Sequence, residues 1–370
     1  MRAALRLARR GFGETSPNPM VGALLVKQKQ IIGSGWHRRA GEPHAEIEAL
    51  RDAQAKGRPS RGATLYVTLE PCSTHGRTPP CTDAILRSEV RRVVVGATDP
   101  NPPHAGQGYE ILRRHGITVV AGVLEQEAEA LNPAFNYWIV QQKPFVTLKA
   151  AMTLDGKIAT SSGESKWITA PNSRRWAMRL RQETDAVLVG INTARRDDPS
   201  LTLRGRRSLR KRLRVVLDSR AEIPLGSKLI EDQSQSPTIV VVTDRAPAKR
   251  ISALEKKAVQ VWRSPQKCGR IDLTWLMDEL GKASVTHLLV EGGGETNAAF
   301  FANGLVQRVV FFYAPKIFGG AGAPKAVAGL GATRREEILR LTDLNWRQIG
   351  PDLLLTARVS GRDNYVHGNC

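Results

Sequence analysis

Hydrophobic positions along the chain recur at two periods, and the switches between them mark the elements. From Val21, VGALLV and QIIGSGW read as the two strands of a hairpin. HAEIEALRDAQAK has helical spacing, with Ile47, Leu50 and Ala53 on its inward face. ATLYVTL predicts a strand, TPPCTDAILRS the entry to a helix, and RRVVVGAT another strand. GYEILRRHG is a helix stopped at Gly116, ITVVAG a strand, and EQEAEALNPAFNYWIV a closing helix. Strands alternating with helices predict a layered α/β domain over residues 1–143.

Lys143-Pro144 is a natural junction, and KPFVTLKAAMTLDGKIAT restarts with a strand. DAVLVG, LRVVLDS, TIVVVTD, THLLVEGG and QRVVFFYAP supply further strands, with helices at APNSRRWAMRLRQET and IDLTWLMDELGKA. RQIGPDLLLTARVSG reads as late antiparallel strands. A second α/β domain over 144–360 follows, with residues 361–370 as a flexible tail. At the other end, MRAALRLARR reads as a short first helix with Leu5 and Ala8 inward, in preference to a transit peptide.

Composition changes this picture in three ways. With 370 residues and 41% hydrophobic content, two cored domains are expected and global disorder is not. No apolar run approaches the roughly 18 residues that would cross a bilayer. Four cysteines do not make a disulfide framework in a chain this long and point to a reducing, cytoplasmic compartment. The net charge of +20 divides as +6 and +14 between the halves, and seven of the eleven residues from Arg204 to Arg214 are basic. That balance suits an anionic partner, either nucleic acid or a small phosphorylated ligand. The basic run by itself reads as a solvated loop.

Two of the cysteines sit near a histidine. His44, Cys72 and Cys81 supply the three protein ligands that a catalytic zinc takes, leaving its fourth position for water. Glu46, two residues after His44, can reach that water without ligating the metal, which is the zinc-deaminase arrangement. Three features coincide: His-Ala-Glu at a helix start, Pro-Cys after a strand, and a second cysteine before a helix. In the second half, VEGGGETNAAF is a strand, a glycine turn and a helix start. It reads equally as a phosphate-holding loop or a tight corner, because it lacks the G-x-G-x-x-G fingerprint.

PCSTHGRTPPC, with TSPNPMVGALLV before it and GATDPNP after it, resembles the deaminase half of the bifunctional riboflavin-biosynthesis deaminase/reductases. KAAMTLDGKIAT, GESKWIT, RRDDPSLTLR and VEGGGETNAAF resemble the reductase half, in order. The resemblance implies a cytidine-deaminase-like three-layer domain followed by a dihydrofolate-reductase-like α/β domain. It also implies one zinc ion per chain and NADPH as hydride donor. In the first half, Asn18 and His75 would contact the substrate; the departure is Thr74, where the family usually has histidine. In the second half, Ala151, Trp167, Thr193, Asp197, Ser219, Gly293, Gly294, Glu295 and Thr296 would contact NADPH. Ser165, Arg181, Leu201, Arg204 and Glu291 would contact substrate, with Lys149 and Glu291 as catalytic candidates orienting the sugar. Taken singly, Arg181 also reads as a surface charge, Trp167 as core, and Asp197-Asp198-Pro199 as a turn.

The implied function is removal of an amine from a diaminopyrimidinone ribosyl phosphate, then NADPH reduction of the ribosyl group to ribityl. The protein would be a homo-oligomer, dimer or larger, with no membrane partner. Two alternatives stand beside this reading. One is a tRNA-type base deaminase with an appended basic domain, favoured by charge but not by the spacing of Cys72 and Cys81. The other is a noncatalytic metal-stabilised protein, in which His75 would close the coordination shell.

Overall fold

The computed structural model describes residues 1–75, 79–203 and 210–360. Arg204, part of the basic run and the tail from 361 therefore lie outside the described residues. The chain divides into two compact units, Met1–Gln142 and Lys143–Cys370.

In the first unit the strands are β1 (Gly22–Lys27), β2 (Gln30–Trp36), β3 (Thr64–Leu69), β4 (Arg92–Ala97) and β5 (Thr118–Val120). Its helices are α1 (Arg2–Ala8), α2 (Ala45–Ala55), α3 (Cys81–Arg87), α4 (Gln107–Arg114), α5 (Glu125–Glu129) and α6 (Pro133–Gln141). The sheet order is β2-β1-β3-β4-β5, antiparallel from β2 to β3 and parallel from β3 to β5. Successive residues point to opposite faces of a strand. Gly22 faces the backbone of α1, whereas Ala23 pairs with Gly35, which faces α2. The sheet is therefore sandwiched between helices, a three-layer unit.

The buried stripe of α2 differs from expectation. Ala45, Ala49 and Ala53 are its fully buried residues, while Ile47 and Leu50 pack at the margin of the core. The cause is the strand beneath. A Cβ on Gly33 would lie 2.3 Å from the Ala49 carbonyl, and one on Gly35 would lie 2.5 Å from that of Ala45. Glycine on the strand and alanine on the helix bring the two backbones together, leaving no room for a large side chain between them.

The predicted closing helix is two helices, α5 and α6. Pro133 has no N–H to donate and disfavours helix at Asn132, so the chain breaks there. Asn132 uses the break: Oδ1 accepts from Met20 N at 2.7 Å and Nδ2 donates to Met20 O at 3.0 Å.

In the second unit the strands are β6 (Phe145–Thr153), β7 (Ala186–Gly190), β8 (Leu213–Leu217), β9 (Thr238–Val242) and β10 (Gln260–Arg263). A two-stranded ribbon follows, β11 (Gln266–Lys267) and β12 (Arg270–Ile271), then β13 (His287–Val290), β14 (Arg308–Ala314), β15 (Leu341–Ile349) and β16 (Asp352–Val359). The helices are α7 (Pro171–Glu183), α8 (Ile191–Asp197), α9 (Lys228–Glu231), α10 (Ala248–Glu255), α11 (Leu273–Lys282) and α12 (Gly294–Ala302). Sequence periodicity did not reveal α8, α9 or α10, which are short and polar.

The main sheet runs β10-β9-β8-β7-β13-β6-β14-β16-β15, parallel as far as β14 and closed by the antiparallel β15–β16 hairpin. Leu188 and Val215 join α11 in one core, and Val187, Val189 and Val216 join α7, α8 and α10 in another, so helices cover both faces. The near-continuous apolar strands follow from that double covering. Cys72 and Cys81, the pair beside His44, are free thiols. Among the described residues no helix is long and apolar enough to cross a membrane.

Gly35→Ala forces a methyl against the α2 backbone, so we expect a loss of about 1–3 kcal/mol and displacement of His44. Thermal unfolding together with bound-zinc stoichiometry checks this; an unchanged Tm with full zinc content would contradict it.

Candidate active sites

His44 is the N-cap of α2, and Cys81 is the first residue of α3. Cys72 lies in the link that leaves β3. The three donor atoms lie within 4.8 Å of one another. His44 Nδ1 is 3.2 Å from Cys81 Sγ and 3.5 Å from Cys72 Sγ. Nitrogen and sulfur ligands of a tetrahedral zinc stand about 3.6 Å apart, so the donor set and its spacing fit zinc. His75 is exposed and outside the group, and among the described residues no fourth His, Cys, Asp or Glu joins it. A closed, purely structural shell therefore has no support here.

A hydrogen bond from Cys81 holds Cys72 far below the usual thiol range, and Cys81 is raised in turn. Glu46 is 3% exposed, and burial pushes its carboxyl up above the ordinary glutamate value.

Sequence reading missed the groups behind this trio. His37 is 2% exposed, its Nδ1 is 3.1 Å from Pro43 O, and its ring packs edge-on against His44. A carbonyl only accepts, so Nδ1 carries the proton and Nε2 accepts from Asn18 Nδ2 at 3.1 Å. Burial lowers the His37 pKa and keeps that ring neutral. Glu70, in LEPC, accepts from the backbone N–H groups of Asp99, Gly106 and Gly108 at 2.9–3.1 Å. It thereby pins the segment that carries His104, whose ring nitrogens both lie 3.4 Å from Thr74 Oγ1. The imidazole facing Thr74 is thus His104, not His75. No sequence signal tied residues 70 and 104, because their link runs through backbone amides.

In the second unit the parallel register pairs Val290 with Leu148, so Glu291 emerges beside Lys149. Arg181 grips Glu291 with two hydrogen bonds, Nε to Oε1 at 2.7 Å and Nη2 to Oε2 at 3.1 Å, and Lys149 Nζ lies 3.6 Å from Oε2. Burial opposes ionisation of Glu291, but Arg181 and Lys149 outweigh it and hold the carboxyl at about 2. Arg181 is therefore a largely enclosed, part-buried partner of Glu291, not a surface charge. Ala151 lies two residues beyond Lys149 on the same face of β6.

Ser165 Oγ donates to Asp197 Oδ1 at 3.0 Å, so a residue expected at the substrate and one expected at the cofactor are joined. Trp167 is 60% exposed with Arg174 stacked 4.5 Å from its ring centre, so it is not core. Leu201 is buried in the hydrophobic core, which leaves only its backbone to meet a ligand. Thr193 and the glycine turn come together: a Cβ on Gly293 would lie 3.3 Å from Thr193 Oγ1. Gly294 is required by the fold, since a Cβ there would lie 2.2 Å from the Lys325 carbonyl, and Gly292 likewise abuts Thr296. Glu295 is exposed and accepts from Gly329 N at 3.3 Å. Ser219 stands at the carboxyl end of β8, its carbonyl accepting from Thr243.

Residues 144–355 match the RibD C-terminal domain, and residues 1–97 match the cytidine and deoxycytidylate deaminase zinc-binding region. The riboflavin biosynthesis protein RibD of Aquifex aeolicus is 44% identical over 96% of both chains. That of Synechocystis sp. is 43% identical over 100% of this chain and 98% of its own. The chain belongs to the RibD family of riboflavin-biosynthesis proteins. Solved structures agree over 97% of each chain at 35% identity. Acinetobacter baumannii RibD gives a TM-score of 0.86, and a Thermotoga maritima deaminase/reductase gives 0.82. Family membership makes the first unit the zinc-binding deaminase domain and the second the reductase domain. The residues that the alternative reading made an appended basic domain match the family's C-terminal domain instead.

Glu291 is depressed from 4.5 to about 2, so its ion cluster contributes stability that is fully present above pH 4.5 and lost as pH falls towards 2. Equilibrium unfolding between pH 7 and 3 should show Glu291→Gln closing its stability gap to the unsubstituted protein only below pH 4.5. A gap that closes near neutrality would contradict the assignment.

Proposed function

We propose that the first unit deaminates 2,5-diamino-6-(5-phosphoribosylamino)pyrimidin-4(3H)-one. The second then reduces the product, 5-amino-6-(5-phosphoribosylamino)uracil, to its ribityl form. The observation that carries this is the trio His44, Cys72 and Cys81 with buried Glu46 beside it, in a chain whose other half is the family's reductase domain. Zinc held by the trio supplies a water acidic enough to act as nucleophile at neutral pH. Glu46, which does not ligate, would move the two protons of that water in turn, the first to the ring nitrogen and the second to the exocyclic amine, which would leave as ammonia. Its raised pKa suits a group that must both accept and donate. Asn18 commits its amide nitrogen to His37 and keeps Oδ1 to accept from a pyrimidine N–H.

In the reductase, NADPH when bound would supply the hydride that reduces the opened sugar. Lys149 and ionised Glu291 orient the sugar oxygens, and Arg181 fixes Glu291 as a carboxylate. Thr193, Thr296 and the first turn of α12 fit the dinucleotide phosphates. Ser165 and Asp197 form one hydrogen-bonded wall between substrate and cofactor.

Feeding the diaminopyrimidinone ribosyl phosphate to the zinc-loaded protein should give ammonia release followed by NADPH oxidation. Glu46→Ala should cut ammonia release by at least 100-fold with zinc retained, whereas Cys81→Ser should lose the zinc. Ammonia without NADPH loss would overturn the reductase half of the reading.

We further place the protein in the cytoplasm as a homo-oligomer, dimer or larger. The free thiols of Cys72 and Cys81 support the compartment. Exposed Leu344, Trp346 and Leu353 on the β15–β16 hairpin support association. Light scattering should return at least twice the 40.6 kDa chain mass; a monomer mass at micromolar concentration would contradict it.

A further inference from the structure

Thr74 and His104 stand at the rim of the deaminase site. Exposure rises along the chain away from the metal trio: Cys81 is buried, Cys72 and Ser73 are half-buried, and Thr74 is exposed. Thr74 lies two residues beyond Cys72, so their Cα atoms are at most about 7 Å apart. His104 reaches the same rim from another segment, the link between β4 and α4. Its side chain is half-buried, and Thr74 Oγ1 lies 3.4 Å from both Nδ1 and Nε2. One hydroxyl equidistant from two nitrogens, at the long end of the hydrogen-bond range, satisfies neither. Among the described residues no other hydrogen-bond partner reaches the ring.

The backbone that presents this ring is fixed. Glu70 is 5% exposed and spends its carboxylate on the N–H groups of Asp99, Gly106 and Gly108, which bracket His104 in the chain. Asp99 Oδ1 accepts from Asn101 N at 2.9 Å, and His104 N donates to Asn101 O at 2.8 Å. Gln107 N then donates to His104 O at 2.9 Å. A buried carboxylate satisfied by three amides is costly to disturb, so this turn keeps its shape without help from the imidazole. The ring is held in place beside the site while its own nitrogens stay available to a ligand.

The shape of the substrate decides which part meets that ring. Deamination places the pyrimidine carbon that bears the leaving amine against the metal trio and Glu46, the enclosed end of the site. The phosphoribosyl arm joins the pyrimidine at a different carbon and extends outwards, towards the rim. Phosphate is the strongest acceptor on that arm, and imidazole offers an N–H donor whether neutral or protonated. We infer that His104 binds the 5′-phosphate of the deaminase substrate, with the Thr74 hydroxyl beside it. The inference rests on the proposed deamination and adds the group that holds the far end of the substrate. The contact serves binding rather than chemistry, because the phosphate keeps its charge while the amine leaves.

The test is steady-state ammonia release by the zinc-loaded full-length protein, with the ribosyl phosphate substrate and with its dephosphorylated riboside. His104→Ala should raise KM for the phosphorylated substrate about 10-fold. Its kcat, and KM for the riboside, should stay unchanged, which is the pattern of lost uniform binding. Ribose 5-phosphate should inhibit ammonia release by the unsubstituted protein, and its inhibition constant should rise by the same factor in the variant. His104→Gln, which keeps a donor, should recover part of the loss, a gain that misfolding cannot produce. Equal KM losses for both substrates, or an unchanged KM for the phosphorylated one, would overturn the assignment and leave the deaminase reading intact. A variant that loses kcat together with bound zinc would make His104 structural and overturn it as well. If the unsubstituted protein releases ammonia from neither substrate, the deaminase reading itself falls.

Discussion

The contact on which the deaminase unit depends is the seating of α2 on β2. Helix backbone meets strand backbone at Gly33 and Gly35, with Ala45, Ala49 and Ala53 filling the seam. A helix that close is fixed in height and rotation, because packed interiors tolerate little change in volume. His44 and Glu46 ride on its first turn. Their distance from Cys72 and Cys81, which arrive on separate segments, is therefore set by glycine rather than by any polar contact. The His37 bridge between Pro43 and Asn18 completes the setting from the opposite side.

The reductase unit solves a different problem, that of keeping charges inside. The Glu291 side chain is 10% exposed and that of Arg181 13%, and an isolated ion there would neutralise itself. Bidentate pairing with Arg181 and the nearby Lys149 reverses that preference, so the carboxyl stays ionised although it is buried. The cluster carries one more positive than negative charge, which favours an anionic or oxygen-rich ligand at its mouth. Its position follows from the parallel register of β13 on β6, which brings Glu291 and Lys149 side by side.

Charge in this protein works locally. The overall excess of +20 says only that anions are welcome. What distinguishes one arginine from the next is what already occupies it: Arg250 braces the loop after β8, Arg195 serves Glu222, and Arg181 serves Glu291. The same distinction separates Asp218, used inside the fold, from Asp197, which holds Ser165.

Periodicity along the chain was sufficient for the alternating α/β pattern and most of its strands, though not for the short β10, β11 and β12, because alternating burial is written directly into apolar spacing. The candidate ligands His44, Cys72 and Cys81 were also legible as a group, since each sits at a local mark, a helix start, a strand exit and a second helix start, and the fold brings their donor atoms together. The tertiary structure alone decided the rest. It chose alanine over isoleucine and leucine for the buried stripe of α2, because the opposing strand is glycine. It broke the helix at Pro133, joined Ser165 to Asp197, buried Leu201, set His37 against His44, and tied Glu70 to the segment that carries His104, all from stretches with no common motif. Those outcomes depend on which backbones approach each other and which donors find acceptors far away in the chain, and residue spacing does not encode either.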